Sequence, residues 1–340
     1  MKIQCDHCAK VYNVADEKVA NKLPMTLPCP ACKNMMTIPA KDDPATPPST
    51  QKKMALLSGD ALRKQMQKDK KHLPPMPQVV YKARKILANP NSSFNEIGDI
   101  LEADQAIASR VLKMANSSYY GMQGKVSSIR QASVILGLKT LGELITVAGS
   151  SELLGNRLKG YDFSSGVLWK HSLAVAFCSE KIADIINPAI REDAFLAGLI
   201  HDAGKLILDK YLLENKVSVQ HFLETEEKTF WAVETRLFQL DHAEVGYELC
   251  RQWNIPERQT IAIKYHHTPS ECSDNQLAYI LHMSDWIAMS GKLSADFHGL
   301  LNQMDESAMD RLGLTDNDIT AIMDQVVAFV ASVAKGMGSD

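Results

Sequence analysis

From residue 73 to residue 336 the apolar residues recur at the three- and four-residue spacing of a helix face, while strand-like alternation is weak and scattered. In "FNEIGDILEADQAIASRVLKMAN" the stripe runs through Ile97, Ile100 and Leu101, then Ile107, Val111, Leu112 and Met114. "IRQASVILGLKTLGELITVAG" repeats the habit. In "LTDNDITAIMDQVVAFVASVAKG", Thr315 and Asp318 predict a capping pair at the start and Gly336 a stop. Without strands to pack on, such stripes can be buried only against other helices. The predicted fold class is therefore mainly α, an all-helical bundle over 73–336, with no internal repeat.

Residues 1–39 follow a different rule. "CDHC" and "CPAC" place Cys5, Cys8, Cys29 and Cys32 as two Cys-x-x-Cys pairs separated by twenty residues. Two such pairs on tight turns can present four thiolates tetrahedrally to one Zn2+. "KVYNV" and "MMTIP", which follow the pairs, have the look of short strands. A segment this short cannot bury enough surface to fold unaided, and zinc can supply on the order of 10 kcal/mol. The expectation is a small β zinc ribbon; disulfides or free thiols are the alternative. His7, inside the first pair, reads as solvated. Cys178, Cys250 and Cys272 are isolated and read as packing residues.

Between these parts, residues 40–72 form a linker. "AKDDPATPPSTQKK" is rich in Pro, Thr and charge and has no apolar period, as a flexible tether would. "ALLSGDALRKQMQKDKKH" predicts a short amphipathic helix with Leu56, Leu57, Leu62 and Met66 on one side and a basic, solvated end. The net charge of −3 gives no global pull toward nucleic acid or acidic membranes. Met-Lys-Ile-Gln-Cys lacks the apolar core of a signal peptide, and no run approaches about 18 uninterrupted apolar residues. A cytoplasmic protein with reduced or metal-bound cysteines is expected.

The helical part carries a concentration of metal-binding side chains. "LWKHS" supplies His171, "GLIHDAGK" supplies His201, Asp202 and Lys205, and "LDHAEVG" supplies His242. "IPERQTIAIKYHHTP" places His266 and His267 at the end of a helix whose first turn Pro256 suits, and "LHMSDWIA" adds Asp285. Lone helical histidines are ordinarily packing residues. A His-Asp pair and a His-His pair in one helical domain point instead to a divalent ion such as Fe, Mn or Zn. A bridging carboxylate such as Asp202 can hold two metals about 3.5–4 Å apart, a geometry suited to phosphoester cleavage. Lys205, one turn from His201, is then placed to meet a phosphate or a leaving group. His282 reads as structural; His72, His221 and His298 carry no signal.

These residues, with "LPPMPQVV", "ADQAIASRVLKMANSSYYG", "SIRQASVILGLKTLGELI", "LWKHSLAVAFCSEKIA", "AFLAGLIHDAGKLIL", "DHAEVGYELCRQWNIPE" and "IKYHHTP" in that order, resemble the HDOD domains of bacteria from about Leu73 to Trp286. That family is a helical offshoot of the HD phosphohydrolases, related to the HD-GYP phosphodiesterases that cleave cyclic di-GMP. The first forty residues resemble the zinc ribbons at the N-termini of many bacterial regulatory proteins. The HD resemblance implies that His171, His201, Asp202 and Asp285 surround one metal, and that His242, His266 and His267 surround a second, with Asp202 shared. Two departures stand out. "TPSECSDNQ" follows His267 where the Gly-Tyr-Pro signature would be, and Val167 stands where some relatives carry an extra carboxylate.

The resemblance implies a regulatory output module that acts through a protein partner or a small signalling ligand. The alternative it leaves open is an active metal-dependent phosphohydrolase on a nucleotide or cyclic dinucleotide, with Asp202 and Lys205 in catalytic roles. Nucleic-acid binding is disfavoured, because "NEIGDILEADQAIASRVLKMAN" offers only Arg110 and Lys113 against Glu96, Asp99, Glu102 and Asp104. The sequence does not specify an oligomeric state.

Overall fold

The computed structural model describes residues 104–120, 126–225, 229–290, 304–305 and 307–337, the segments 2–4, 10–13, 25–32 and 35–38, and a few positions between 62 and 101. The chain divides into two compact units, Met1–Ala55 and Leu56–Asp340.

In the first unit β1 (Lys2–Gln4) pairs antiparallel with β2 (Val11–Asn13), and β3 (Met25–Pro28) with β4 (Met35–Ile38). The two expected strands are present, and each is completed by a partner from the segment before its Cys pair. Cys5 and Cys8 lie outside the described residues, as does His7. Cys29 and Cys32 sit on the turn between β3 and β4, with the Cys29 Sγ 3.3 Å from the Tyr12 hydroxyl. That hydrogen bond, helped by the backbone N–H groups of Cys32 and Ala31, brings the Cys29 thiol down to about 6. A thiol lowered in this way is largely thiolate at neutral pH, the form a metal needs.

The second unit is helical. Asp104 caps α1 (Gln105–Ala115), accepting from the N–H groups of Ala106 and Ile107. Ser128 caps α2 (Ile129–Leu154), which bends where Gly137 adopts φ +80°, so it is two helical pieces joined at that residue. Then come α3 (Val167–Ile186), α4 (Arg191–Ile200), α5 (Lys205–Glu214), α6 (Lys216–Thr225) and α7 (Phe230–Phe238). The remainder is α8 (His242–Gln252), α9 (Glu257–Lys264), α10 (Gln276–Ser290), α11 (Ser307–Leu312) and α12 (Asp316–Met337).

Helix α3 is the centre of this unit, packed against α4, α10, α12 and α2. Leu168, Leu173, Val175, Cys178 and Ile182 are all buried, because a helix apolar on every side has no face to give to water. The capping pair at the last helix is as expected: the Thr315 N–H donates to Asp318 Oδ2 at 2.9 Å, and the Asp318 N–H donates to Thr315 Oγ1 at 3.2 Å. Leu62 is helical and buried in the core, whereas Leu56, Leu57, Met66 and most of the linker lie outside the described residues. Cys178 and Cys250 are buried and Cys272 partly so, consistent with packing.

Among the described residues two helices, α2 and α12, are long and apolar enough to cross a membrane by length and composition alone, with 56% and 39% of their apolar windows buried inside the protein. Leu141, Leu144 and Ile145 of the former, and Ile322, Val326 and Phe329 of the latter, belong to the core.

Candidate metal centre

Five segments converge on one buried point. His171 projects from the second turn of α3, His201 and Asp202 follow the end of α4, His242 opens α8, and His266 and His267 follow α9. Asp285 comes in from α10. Pro256 is the N-cap of α9 rather than a first-turn residue, and the helix ends at Lys264, which leaves the two histidines on the turn beyond it.

Two glycines of "GLIHDAGK" permit this approach. A Cβ on Gly198 would lie 2.7 Å from the Ala176 Cα, so α4 and α3 could not come as close. A Cβ on Gly204 would lie 2.0 Å from the His242 carbonyl oxygen, so α8 could not meet the His-Asp turn. With both glycines in place, His201 and Asp202 are held between His171 and His242.

Asp202 faces both sides. His171 Nε2 lies 3.6 Å and His201 Nε2 3.5 Å from its Oδ2, while His242 Nε2 lies 3.2 Å from its Oδ1. His171 Nε2 also approaches Asp285 Oδ1 at 3.0 Å, and His267 Nε2 meets His242 Nε2 at 2.8 Å. Three overlapping triads have ligand atoms within 4.8 Å of one another: His171, His201 and Asp202; His201, His266 and Asp285; and His242, His266 and His267. The seven side chains expected from the sequence are thus brought together.

The outer nitrogens are already committed. His201 Nδ1 bonds the Gly198 carbonyl at 2.8 Å, His266 Nδ1 the Ile263 carbonyl at 2.7 Å, and His242 Nδ1 the Glu234 carboxylate at 2.7 Å. Bonds of this kind fix the tautomer and aim Nε2 inward, as outer partners do for metal-bound histidines. His201 Nε2, His266 Nε2 and Asp202 Oδ1 are buried with no hydrogen-bond partner. Orphaned buried acceptors are costly unless something pairs with them, and divalent cations held among these triads would pair with them. The residues present therefore fit a metal of the kind bound by imidazole and carboxylate.

The electrostatics agree. Burial drives the Asp202 carboxyl up, but His201, Lys205, His242 and His171 together outweigh it and hold the group well below the usual carboxylate range. Burial, reinforced by His201 and His242, takes His266 down to about 3; burial likewise lowers His201 and, with His266 beside it, His267. These three imidazoles stay neutral and the carboxylate ionised at neutral pH, the states that ligate metal.

Lys205 lies beside the site. Its Nζ is 2.6 Å from Asp202 Oδ2, so the ammonium is committed to the shared carboxylate. His282 is structural, as expected: its Nδ1 bonds the His266 carbonyl at 2.8 Å and its Nε2 accepts from the Asp305 N–H at 2.8 Å, which steadies the turn carrying His266. The functional residue missed in sequence is Glu234, fully buried on α7, which holds His242 and accepts at 2.6 Å from the Tyr161 hydroxyl. A charge between Val233 and Leu237 on an otherwise apolar face was the available signal.

Fold and ligand set together define a helical protein of the HD type. The HDOD domain model matches residues 73–269, more than half the chain, and the chain belongs to the HDOD family. An HDOD domain protein of unknown function from Geobacter sulfurreducens superposes with TM-score 0.64 at 27% identity, covering 78% of this chain and 93% of that one. A protein from Marinobacter aquaeolei VT8, described as a candidate for signal transduction, gives TM-score 0.63 at 23% identity over 79% of this chain and 60% of that one. An uncharacterised protein of Treponema pallidum is 24% identical over 196 residues; the match spans 57% of this chain and 37% of that relative's length.

Proposed function

We propose that this chain is a bacterial cytoplasmic signal-transduction protein whose HDOD domain holds one or two divalent metals, Fe, Mn or similar, and acts by binding a protein partner or small signalling ligand. A separate Zn2+, on Cys5, Cys8, Cys29 and Cys32, would stabilise the N-terminal ribbon. The observation that carries this reading is the burial of the centre. Six of the seven side chains, His171, His201, Asp202, His242, His266 and Asp285, are each 6% exposed or less, and His267 is partly buried. A hydrolytic metal keeps a position open to its substrate, whereas a structural or sensing metal is enclosed by its ligands. The missing Gly-Tyr-Pro segment after His267 supports the same reading.

The phosphohydrolase alternative is favoured by one specific feature. Asp202 turns one oxygen to each ligand group, as a bridge between two catalytic metals would. A bound metal pair would supply an acidified water; the protein's own part would be to orient the imidazoles through Gly198, Ile263 and Glu234.

Elemental analysis of anaerobically purified protein, compared with Asp202→Asn, tests the metal, since ribbon zinc is common to both. One to two equivalents of Fe or Mn, lost in the variant, are expected. Equal metal in the two proteins would overturn the site. A nucleotide and cyclic-dinucleotide panel run on the loaded protein should show no turnover; turnover abolished by Asp202→Asn would replace this reading with the hydrolase.

A further inference from the structure

A second polar cavity lies outside the metal centre. It has a volume of about 100 Å³, opens to solvent, and is lined by the 3-10 turn Ser118–Tyr120, α2, α3, α4 and α12. Its apolar wall is aromatic: Phe177 and Phe329 stack with centroids 4.1 Å apart, and Tyr119 stands edge-on to both at 5.6 and 4.9 Å. Its polar side is formed by Glu143, Glu180 and Arg191.

The charges of this cavity do not balance locally. Arg191 donates from both Nε and a terminal nitrogen to Glu180 Oε1, and its other terminal nitrogen is 3.5 Å from Asp184. Lys139 is paired with Glu192 at 3.0 Å. Lys181 lies over the Phe177 ring at 4.8 Å and 3.9 Å from Asp184. Glu143 Oε1 is buried with no hydrogen-bond partner. Each cation described around the cavity thus has another carboxylate, while an acceptor oxygen of Glu143 faces an aromatic-walled space with nothing to accept from.

We infer that this cavity is a ligand site for a small planar nitrogen cation, of the amidinium or guanidinium class, with Glu143 as its counter-ion. A planar pair of N–H donors matches a carboxylate in two parallel hydrogen bonds. The aromatic wall suits the flat body of such a ligand, because ring faces attract cations and ring edges pack against apolar surface. The site is independent of any metal. It lies along α3 and α4 at the ends remote from His171 and His201: Glu180 is nine residues beyond His171, roughly 14 Å along the axis, and Arg191 is ten residues before His201.

Calorimetric titration of the full chain with benzamidinium chloride tests this, with benzamide as the neutral isostere. Saturable one-to-one binding of the cation is expected, weakened at least about tenfold by Glu143→Gln and unchanged by Asp202→Asn, with no saturable binding of benzamide. The Gln side chain keeps the shape of the cavity, and the benzamide arm needs no variant. No saturable heat up to millimolar benzamidinium, equal binding of benzamide, or equal binding by Glu143→Gln would overturn the assignment. Weakening by Asp202→Asn alone would place the ligand at the metal centre and overturn it as well.

Discussion

Glu234 Oε2 accepts twice from His242, from its backbone N–H and from its Nδ1, each at 2.7 Å. One carboxylate thus sets both the first residue of α8 and the orientation of its imidazole. Burial and Lys205 lower His242, but Glu234 and Asp202 together outweigh them, so the imidazole is held above its ordinary value. Outer partners of this kind are commonly worth 10–100-fold in metal affinity. Glu234→Gln keeps the shape and removes the charge, so a loss of about tenfold, the low end of that range, is expected in a chelator-competition titration. An unchanged affinity with an unchanged circular dichroism spectrum would show that Glu234 serves only the fold.

Lys205 Nζ sits 2.6 Å from Asp202 Oδ2, an oxygen for which a metal at the site would compete. Lys205→Met leaves a buried carboxylate with one cation fewer, and loss of one partner of a buried pair costs ~3–5 kcal/mol. The Lys205 side chain is 12% exposed, so a value near the lower end, about 3 kcal/mol, is expected in urea unfolding of metal-stripped protein. Added Mn2+ should close most of that gap by taking the place of the ammonium. An equal loss with and without metal would show that the two cations do not share the site.

Helices and ligands were legible in sequence for different reasons. Periodicity announced the bundle, and the Thr315–Asp318 pair marked a helix start, because both signals are local. The clustered side chains were legible because a His-Asp pair and a His-His pair stand in one helical domain. Glu234 was not, since its partner is eight residues away across a turn, and its meaning depends on which way α8 is aimed. The bend at Gly137 was hidden inside a continuous apolar run, where a glycine is also compatible with a straight helix. The cavity at Glu143 is assembled from five separate segments, and no spacing along the chain encodes that.

Close approach at the His-Asp turn gives a steric prediction. In Gly204→Ala the new Cβ would lie 2.0 Å from the His242 carbonyl oxygen and 2.7 Å from the Gly246 nitrogen, both backbone atoms that cannot swing aside. Overpacking of this kind costs about 1–3 kcal/mol, and relief must come from moving α8, so metal affinity should fall with stability. Gly246→Ala is the contrast: its Cβ would meet the Ile263 Cγ2 methyl at 3.3 Å, a contact a side-chain adjustment relieves. Urea unfolding and metal titration of the two variants should show the first impaired in both and the second nearly unaffected. Equal behaviour would mean that the turn is not as tightly held as its geometry indicates.

Glu143 makes stability depend on pH. Burial first, then the nearby Glu180 and Glu192 charges, against Arg191 and Lys139, take its carboxyl from 4.5 up to about 7. A raised carboxyl favours the fold while it is protonated. Its contribution is complete below about pH 4.5, where the unfolded chain is protonated too, and is lost as pH rises through about 7. The full interval corresponds to ~3 kcal/mol at 1.36 kcal/mol for each tenfold change in proton affinity. Glu143→Gln does not titrate, so its stability relative to the parent should improve by about 2–3 kcal/mol between roughly pH 5 and pH 8. Urea unfolding of both proteins at the two pH values measures the difference directly, because every other titrating group is common to them. A gap that stays constant with pH would mean that the Glu143 carboxyl ionises in the folded protein as readily as in the unfolded chain, and that its buried oxygen is already partnered.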